Sequence, residues 1–303
     1  MEKIDLSVIL VSYNTADITV AAVQSVLDTV KKTKTEIIVV DNASTDDSIK
    51  KLREVQRVAK NIPISVIANT ENIGFAKANN KGVRRCKSKY ILFLNSDTVV
   101  HANTLDSMVE FMDSNSHVGA STCKLNTPDG GIDYASHRGF PTPWNAFTYF
   151  SGLSKLFPKS KLLTGYTQGW KDLSTTHEVD AITGAFMLVR REAGEQVGWW
   201  DEDYFFNGED LDFCYRLRKK GWKIMYVPKY TILHYNGMSG GTKKGKTLAT
   251  KETKSRIQDA RFNAMKLFYT KHYKKKYPGI ITWAVFAGID LKRFVTMKKL
   301  GLQ

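Results

Sequence analysis

Residues 90–100 read YILFLNSDTVV, and this stretch narrows the choice of fold more than any other. Five apolar residues, Tyr90-Ile91-Leu92-Phe93-Leu94, run straight into Asn95-Ser96-Asp97. An unbroken apolar run of strand length is covered on both faces, as in a parallel sheet. A carboxylate just past the C-terminal end of such a strand stands where open α/β sheets bind ligands. Asn, Ser and Asp are also ordinary turn residues, so the stretch taken alone reads first as a plain strand-end turn.

The pattern recurs. LSVILVSY at residues 6–13 leads into Asn14, EIIVV at 36–40 ends at Asp41-Asn42, and a third strand covers 64–68. Helices fill the gaps. Thr15 or Asp17 caps one running to Leu27, with Ala16, Val20, Val23 and Leu27 on its buried face. Ser44 or Thr45 caps a second, with Ile49, Leu52, Val55 and Val58 as its stripe. After a turn at 69–74 come helices over 75–85 and 101–114. Strands alternating with helices across short loops give a parallel sheet with right-handed crossovers. Ser12-Tyr13-Asn14, Asp41-Asn42 and Asn95-Ser96-Asp97 then share one rim. Asp41 also has a simpler reading, as a cap of its own βα loop.

From residue 118 to 180 the periodicity loosens. Thr127-Pro128-Asp129-Gly130-Gly131 is a turn, Pro141 and Pro143 break regular structure, and aromatic residues such as Trp144, Phe147, Tyr149 and Phe150 are scattered between. This insertion lines an acceptor site or forms a lid, or it is an irregular subdomain with its own small core. Order returns with a buried strand at 185–189, a helix at 209–220 stopped by Gly221, and strands at 222–227 and 230–235. Leu211, Tyr215 and Leu217 are the inward residues of that helix. It starts with Glu209-Asp210-Leu211-Asp212. Acids there complement the helix dipole. With Gly208 allowing close approach and Phe205-Phe206 forming a dry wall, Asp210 also suits a proton acceptor tuned upward and aimed at the rim. His234, on an apolar strand, reads by composition as a satisfied core histidine.

The 303 residues allow one large α/β domain with an appendage, and 42% hydrophobic content is ample for its core. Three widely spaced cysteines, Cys86, Cys123 and Cys214, have no metal or disulfide spacing and fit buried thiols in a reducing compartment. The N-terminus lacks a signal-peptide pattern, and no run reaches the roughly 18 apolar residues of a membrane span. The net charge of +15 is lopsided: residues 243–303 carry 16 Lys+Arg against 3 Asp+Glu. The expected organisation is therefore a near-neutral domain over 1–242, divided at 115/116, and a basic helical tail over 243–303. Residues 240–247, GGTKKGKT, satisfy the spacing of a P-loop. No strand leads directly into them and too little chain follows for such a domain, so a chance match in a Gly/Lys-rich loop, or a lid meeting phosphates through Lys243, Lys244 or Lys246, fits better.

Taken in order, Val11-Ser12-Tyr13-Asn14, Val40-Asp41-Asn42-Ala43-Ser44-Thr45-Asp46, Asn72-Ile73-Gly74-Phe75-Ala76-Lys77-Ala78-Asn79-Asn80 and Asn95-Ser96-Asp97 resemble family 2 glycosyltransferases of the GT-A fold. Thr183-Gly184-Ala185-Phe186, Phe206-Asn207-Gly208-Glu209-Asp210-Leu211-Asp212 and His234-Tyr235-Asn236-Gly237-Met238-Ser239 resemble its rhamnosyltransferase-like branch. The match covers about residues 5–240. It implies a mostly parallel central sheet flanked by helices, with a Rossmann-like nucleotide-binding half and an acceptor half. It implies that Tyr13 and Asp41 hold the base, with Ser12, Asn14 and Asn42 in the same loops. Gly74 and Asn79 would approach ribose and diphosphate. Asn95-Ser96-Asp97 stands where the family has D-x-D, so Asp97 becomes the main carboxylate on Mg²⁺ or Mn²⁺, with Asn95 beside ribose or a water. His234 becomes a second metal or phosphate contact and Asp210 the catalytic base. The implied reaction is single-displacement, inverting transfer from a dTDP- or UDP-sugar, with rhamnose as the expected sugar, to a cell-surface glycan or lipid-linked acceptor.

The tail lies mostly outside the match. Lys271, Lys274, Lys275 and Lys276, interleaved with Tyr269, Tyr273 and Tyr277 and followed by Ile280, Ile281, Trp283 and Phe286, read as an in-plane segment on an anionic membrane. That places the chain in the cytoplasm, peripheral on the inner face of the cell membrane. The competing reading is a solvated face plus a helix that pairs two copies into a homo-oligomer. No base-reading motif supports a specific nucleic-acid partner. Outside the transferase reading stand a non-catalytic sugar-nucleotide-binding scaffold and a sugar nucleotidyltransferase. The latter needs a basic phosphate loop after the first strand, which residues 12–17 do not offer.

Overall fold

The computed structural model describes residues 4–236 and 251–302. In chain order it contains β1 (Leu6–Ser12), α1 (Ala16–Thr29), β2 (Thr35–Asp41), α2 (Ser48–Val58), β3 (Ile64–Ala68), α3 (Phe75–Val83), β4 (Tyr90–Asn95), β5 (Thr98–Val100) and α4 (Thr104–Ser114). Then follow β6 (Val118–Asn126), a 3₁₀ turn (Tyr134–Ser136), α5 (Pro143–Phe150), α6 (Leu153–Leu156), β7 (His177–Glu178), β8 (Phe186–Arg190), α7 (Arg191–Val197), α8 (Glu209–Lys219), β9 (Lys223–His234), α9 (Lys251–His272) and α10 (Gly279–Lys299).

One sheet carries the molecule, in the order β3-β2-β1-β4-β8-β6-β9-β5, with β7 on β9. The first four strands are parallel, β8 is antiparallel to β4, and β6 runs parallel to β9. Side-chain alternation sorts each apolar run onto two cores. Leu92 and Leu94 join α1 and α4 on one face, while Ile91 and Phe93 join α3 and α8 on the other. Phe93 packs edge-on against Trp200 at 4.7 Å, and Trp200 stacks on Phe213. Full burial of such a side chain contributes roughly 1.5–3 kcal/mol. This bracing fixes where residues 95–97 and the start of α8 sit.

Several local expectations change. β6 was not anticipated inside the loosened region. Its Gly119, Ala120, Ser121 and Thr122 are small or polar yet buried, with Gly119 closely approached by Trp222 and the Thr122 hydroxyl donating to the Phe186 carbonyl. The two strands expected around Pro228 are one strand, β9, whose pairing jumps from Cys123–Val227 to Lys124–Thr231. Proline lacks the ladder N–H, so it sits in that irregularity. α2 starts at Ser48, not behind Ser44 or Thr45, and Val58 is exposed. Thr15 makes no side-chain cap for α1; Asp46 accepts from the Ala16 N–H instead. α8 is covered on both faces: Phe213, Cys214 and Leu217 face the sheet, while Leu211 and Tyr215 pack against α9. α9 is tied there by His272, whose Nε2 lies 2.7 Å from Asp212 Oδ1. All three cysteines are buried and unbridged. The P-loop-like residues 240–247 lie outside the described residues.

Candidate active site

The parallel register puts three strand ends on one rim. Ser12 pairs with Asp41, and Val11 with Asn95. At the β1 end the buried Ser12 hydroxyl lies 3.0 Å from Thr19 Oγ1, so it anchors α1. Asn14 holds a left-handed φ of 53° and ties this loop to the next: its Oδ1 accepts from the Thr45 N–H at 2.7 Å, and its own N–H donates to Ser44 Oγ. Between these anchors Tyr13 keeps 39% of its surface exposed, a free ring at the rim. Asp41 is buried; Oδ1 accepts from the Ser44 N–H, and Oδ2 has no partner among the described residues. That leaves one carboxylate oxygen able to take a donor from a ligand.

Asn42 is saturated. Its amide donates to Asn72 Oδ1 and the Gly74 carbonyl, and its Oδ1 accepts from Asn69 and the Ile73 N–H. It shapes the 69–74 turn that presents Gly74. Gly74 has φ +86°, and a Cβ there would stand 2.7 Å from the Phe205 carbonyl oxygen. Gly74→Ala is therefore expected to destabilise the chain by about 1–3 kcal/mol and to displace the 205–208 loop, measurable by denaturant unfolding. Asn79 is buried one turn into α3, its amide donating to the Phe75 carbonyl.

At the β4 end, Asn95 lines a cleft that also contains Arg138, Gly184, Gly208 and Asp210. Asp97 is fully buried, and its Oδ1 lies 3.4 Å from His234 Nε2 because Thr98 of β5 pairs with His234 of β9. His234 Nδ1 lies 2.8 Å from Asp133 Oδ2. His234 is thus flanked by two carboxylates rather than alone. Burial disfavours its charge, but the Asp133 and Asp97 hydrogen bonds prevail and hold its pKa up at about 9. A cation ligated by His234 would have to displace that proton. Among the described residues no three His, Cys, Asp or Glu side chains form a ready chelate. Asp97 and His234 fit a smaller demand, that of a cation completed by substrate phosphates and water. Asp133 on the far ring nitrogen is the usual orienting carboxylate of a ligating histidine.

α8 is entered through Asn207 and Gly208, both left-handed at φ 68° and 85°. Asp210 opens into the cleft and pairs with Arg138 at 2.5 Å, both side chains largely buried. Glu209 is buried with Oε2 unpartnered, and burial, reinforced by the Asp210 charge, pushes its pKa to about 8. Asp212, the third acid, is spent on Arg216 and His272.

Asp133 and Arg138 escaped the sequence reading. Both lie on the short segment around the 3₁₀ turn, which reaches His234 with one residue and Asp210 with the other. The only signal was the charge of Asp133 and Arg138 just ahead of the aromatic, proline-broken run at 140–150. The same stretch exposes Trp144 and Phe147 at the cleft wall, so it lines the cleft rather than closing a core of its own.

Comparison with known proteins agrees with this geometry. Residues 7–198 match the family model "Glycosyl transferase family 2". An N-acetylglucosaminyl-diphospho-decaprenol L-rhamnosyltransferase of Mycobacterium tuberculosis is 27% identical over 224 residues, 70% of each chain. Rhamnosyltransferase WbbL of Escherichia coli K12 is 29% identical over 171 residues, 54% of this chain and 61% of that one. Among solved structures, Staphylococcus aureus TarS 1-349 superposes with a TM-score of 0.56 at 16% identity, over 97% of this chain and 72% of that one. Mannosyltransferase PcManGT of Pyrobaculum calidifontis, solved with GDP-Man and Mn²⁺, gives 0.56 at 16% identity, over 97% and 87%. The ordered strand-end motifs, the sheet and the family match converge: the chain belongs to glycosyl transferase family 2 and is a glycosyltransferase of GT-A fold, rhamnosyltransferase-like in sequence.

Proposed function

We propose that this chain moves a deoxyhexose, rhamnose from dTDP-rhamnose, onto a hydroxyl of a lipid-linked acceptor in cell-surface glycan synthesis, with inversion at the anomeric carbon. The observation that carries this reading is the shared rim: a free Asp41 oxygen beside an exposed Tyr13, the Asp97–His234 pair, and Asp210 at the mouth of one cleft. Tyr13 stacks on the base while Asp41 accepts its N–H. Asp97 and a neutral His234 would hold a Mg²⁺ or Mn²⁺, which would offset the charge growing on the departing diphosphate. Asp210 takes the proton of the acceptor hydroxyl as that oxygen bonds to the anomeric carbon and the bond to the nucleoside diphosphate breaks. Arg138 orients Asp210 before the acceptor arrives. The relatives' names, one rhamnosyltransferase acting on a diphospho-decaprenol-linked sugar and another plain rhamnosyltransferase, support the donor and acceptor classes. No described helix is long and apolar enough to cross a membrane, and a peripheral position at the cytoplasmic face is part of the proposal.

The test is a thermal-shift panel of dTDP-, UDP- and GDP-sugars, with and without Mg²⁺ or Mn²⁺. A ligand of the folded state at one hundred times its Kd adds about 2.7 kcal/mol of stability. A metal-dependent rise with dTDP-rhamnose, lost in Asp97→Ala, is the expected result. A rise confined to UDP- or GDP-sugars would refute the donor assignment, and no rise with any nucleotide would refute the donor site.

A further inference from the structure

Most of the large hydrophobic side chains exposed among the described residues sit on two pieces of chain. One is the α5–α6 region, with Phe147 and Phe150; the other is α10, with Trp283 and Leu291. These pieces face each other across the cleft that contains Asp210, a space of about 1250 Å³. Lys292 of α10 reaches over it and lies 3.7 Å from the centre of the Phe150 ring.

The same apolar cleft holds Arg261 of α9 as well as Lys292. Neither has a carboxylate partner among the described residues. Lys292 is half-buried, and burial together with the nearby Arg261 charge disfavours its ammonium form. Arg261 is exposed at the edge of the cleft, and its charge repels that of Lys292, which is the poorly solvated one of the two. An anion entering between them relieves both penalties. A soluble phosphate would use the cations and leave the apolar walls exposed. A neutral lipid would fill the walls and leave the charges unmet. One amphiphile satisfies both.

We propose that the cleft between α5 and the α9–α10 pair is a lipid-diphosphate site, in which Arg261 and Lys292 receive the phosphates and the exposed apolar faces of α5 and α10 carry the hydrocarbon chain out into the bilayer. The proposal deepens the lipid-linked acceptor reading above and rests on it. It gives the insertion a function: α5 is one wall of the lipid path. It also gives the tail one: α10 brings the second cation, lines the cleft with Lys299 as well, and lies against the membrane surface, where the exposed Lys298 meets anionic head groups.

The test titrates the full chain by calorimetry with farnesyl diphosphate, farnesol and inorganic pyrophosphate, each below its aggregation limit. Farnesyl diphosphate is expected to bind at least about tenfold more tightly than either fragment, since each lost charge-assisted contact or apolar anchor is worth about that factor. Arg261→Gln with Lys292→Gln should reduce it to the farnesol level, and Phe147→Ser with Leu291→Ser to the pyrophosphate level. The second pair sits on exposed positions, so folding is retained. Pyrophosphate binding as tightly as the lipid would overturn the proposal in favour of a soluble phosphate, and farnesol doing so would reduce it to a greasy surface. Unchanged lipid binding in both double variants would place the lipid elsewhere. The metal-dependent nucleotide shift, measured on the same samples, separates the two readings: its loss with lipid binding intact sinks the donor site and leaves this one standing.

Discussion

Asp210→Asn is expected to lower sugar transfer by about 10²–10⁴-fold while leaving the donor-induced thermal shift in place. The magnitude is that of losing a positioned general base. Asparagine keeps the shape and the acceptor for the Leu211 N–H, but it cannot take a proton. It also leaves the Arg138 guanidinium without its counter-charge in a largely buried position, so some loss of stability accompanies the change. Rates should therefore be compared well below the variant's melting temperature. Glu209→Gln is the contrasting control. Burial holds the Glu209 pKa up near 8, so glutamine mimics the protonated form already dominant at neutral pH. A carboxyl whose folded pKa is raised destabilises the fold progressively as pH climbs from its unfolded value to its folded one. Glu209→Gln should thus transfer sugar at close to the wild-type rate at pH 7 and melt higher than wild type at pH 8. Equal, severe losses in both variants would mean that the two acids act as one unit and that the base cannot be assigned to Asp210 alone.

What could be read in the chain follows from how far apart the interacting residues lie. The rim was legible because each parallel strand is an apolar run that stops abruptly at a polar residue, and the sheet brings Ser12, Asp41 and Asn95 together without further information. The Asp133–His234 and Arg138–Asp210 pairs were not, since their partners lie 101 and 72 residues apart and one member of each is in a stretch with no periodicity. β6 hid for a different reason. Its small and polar residues are buried because neighbouring strands and Trp222 close over them, and neither signal is local. The third acid of α8 looked like dipole complementarity or chemistry. It is a tether, and nothing near Asp212 announces His272 sixty residues on.

Asp133→Asn is expected to weaken metal-dependent donor binding by about 10–100-fold, the range for removing the orienting partner of a ligating histidine. Asparagine still accepts from the Ala135 N–H, so the 3₁₀ turn is preserved and the loss falls on His234. The same variant has a signature in the metal-free chain. His234 in the fold is held up near 9, above the ordinary histidine value of 6.5. A raised histidine adds stability that is complete below its unfolded pKa and disappears as pH rises through its folded pKa. Wild-type unfolding free energy without metal should therefore fall between pH 6.5 and 9, on the order of 3 kcal/mol at full loss, and the melting temperature with it. Asp133→Asn should flatten that fall. Metal binding runs the other way, because a ligating imidazole must be neutral. Each cation that binds expels a proton, so the Mn²⁺ concentration needed for half-maximal donor binding should drop as pH rises through the same window. A pH-independent metal requirement, together with an unaltered stability profile in Asp133→Asn, would remove His234 from the metal site and leave Asp97 as its only described side-chain candidate.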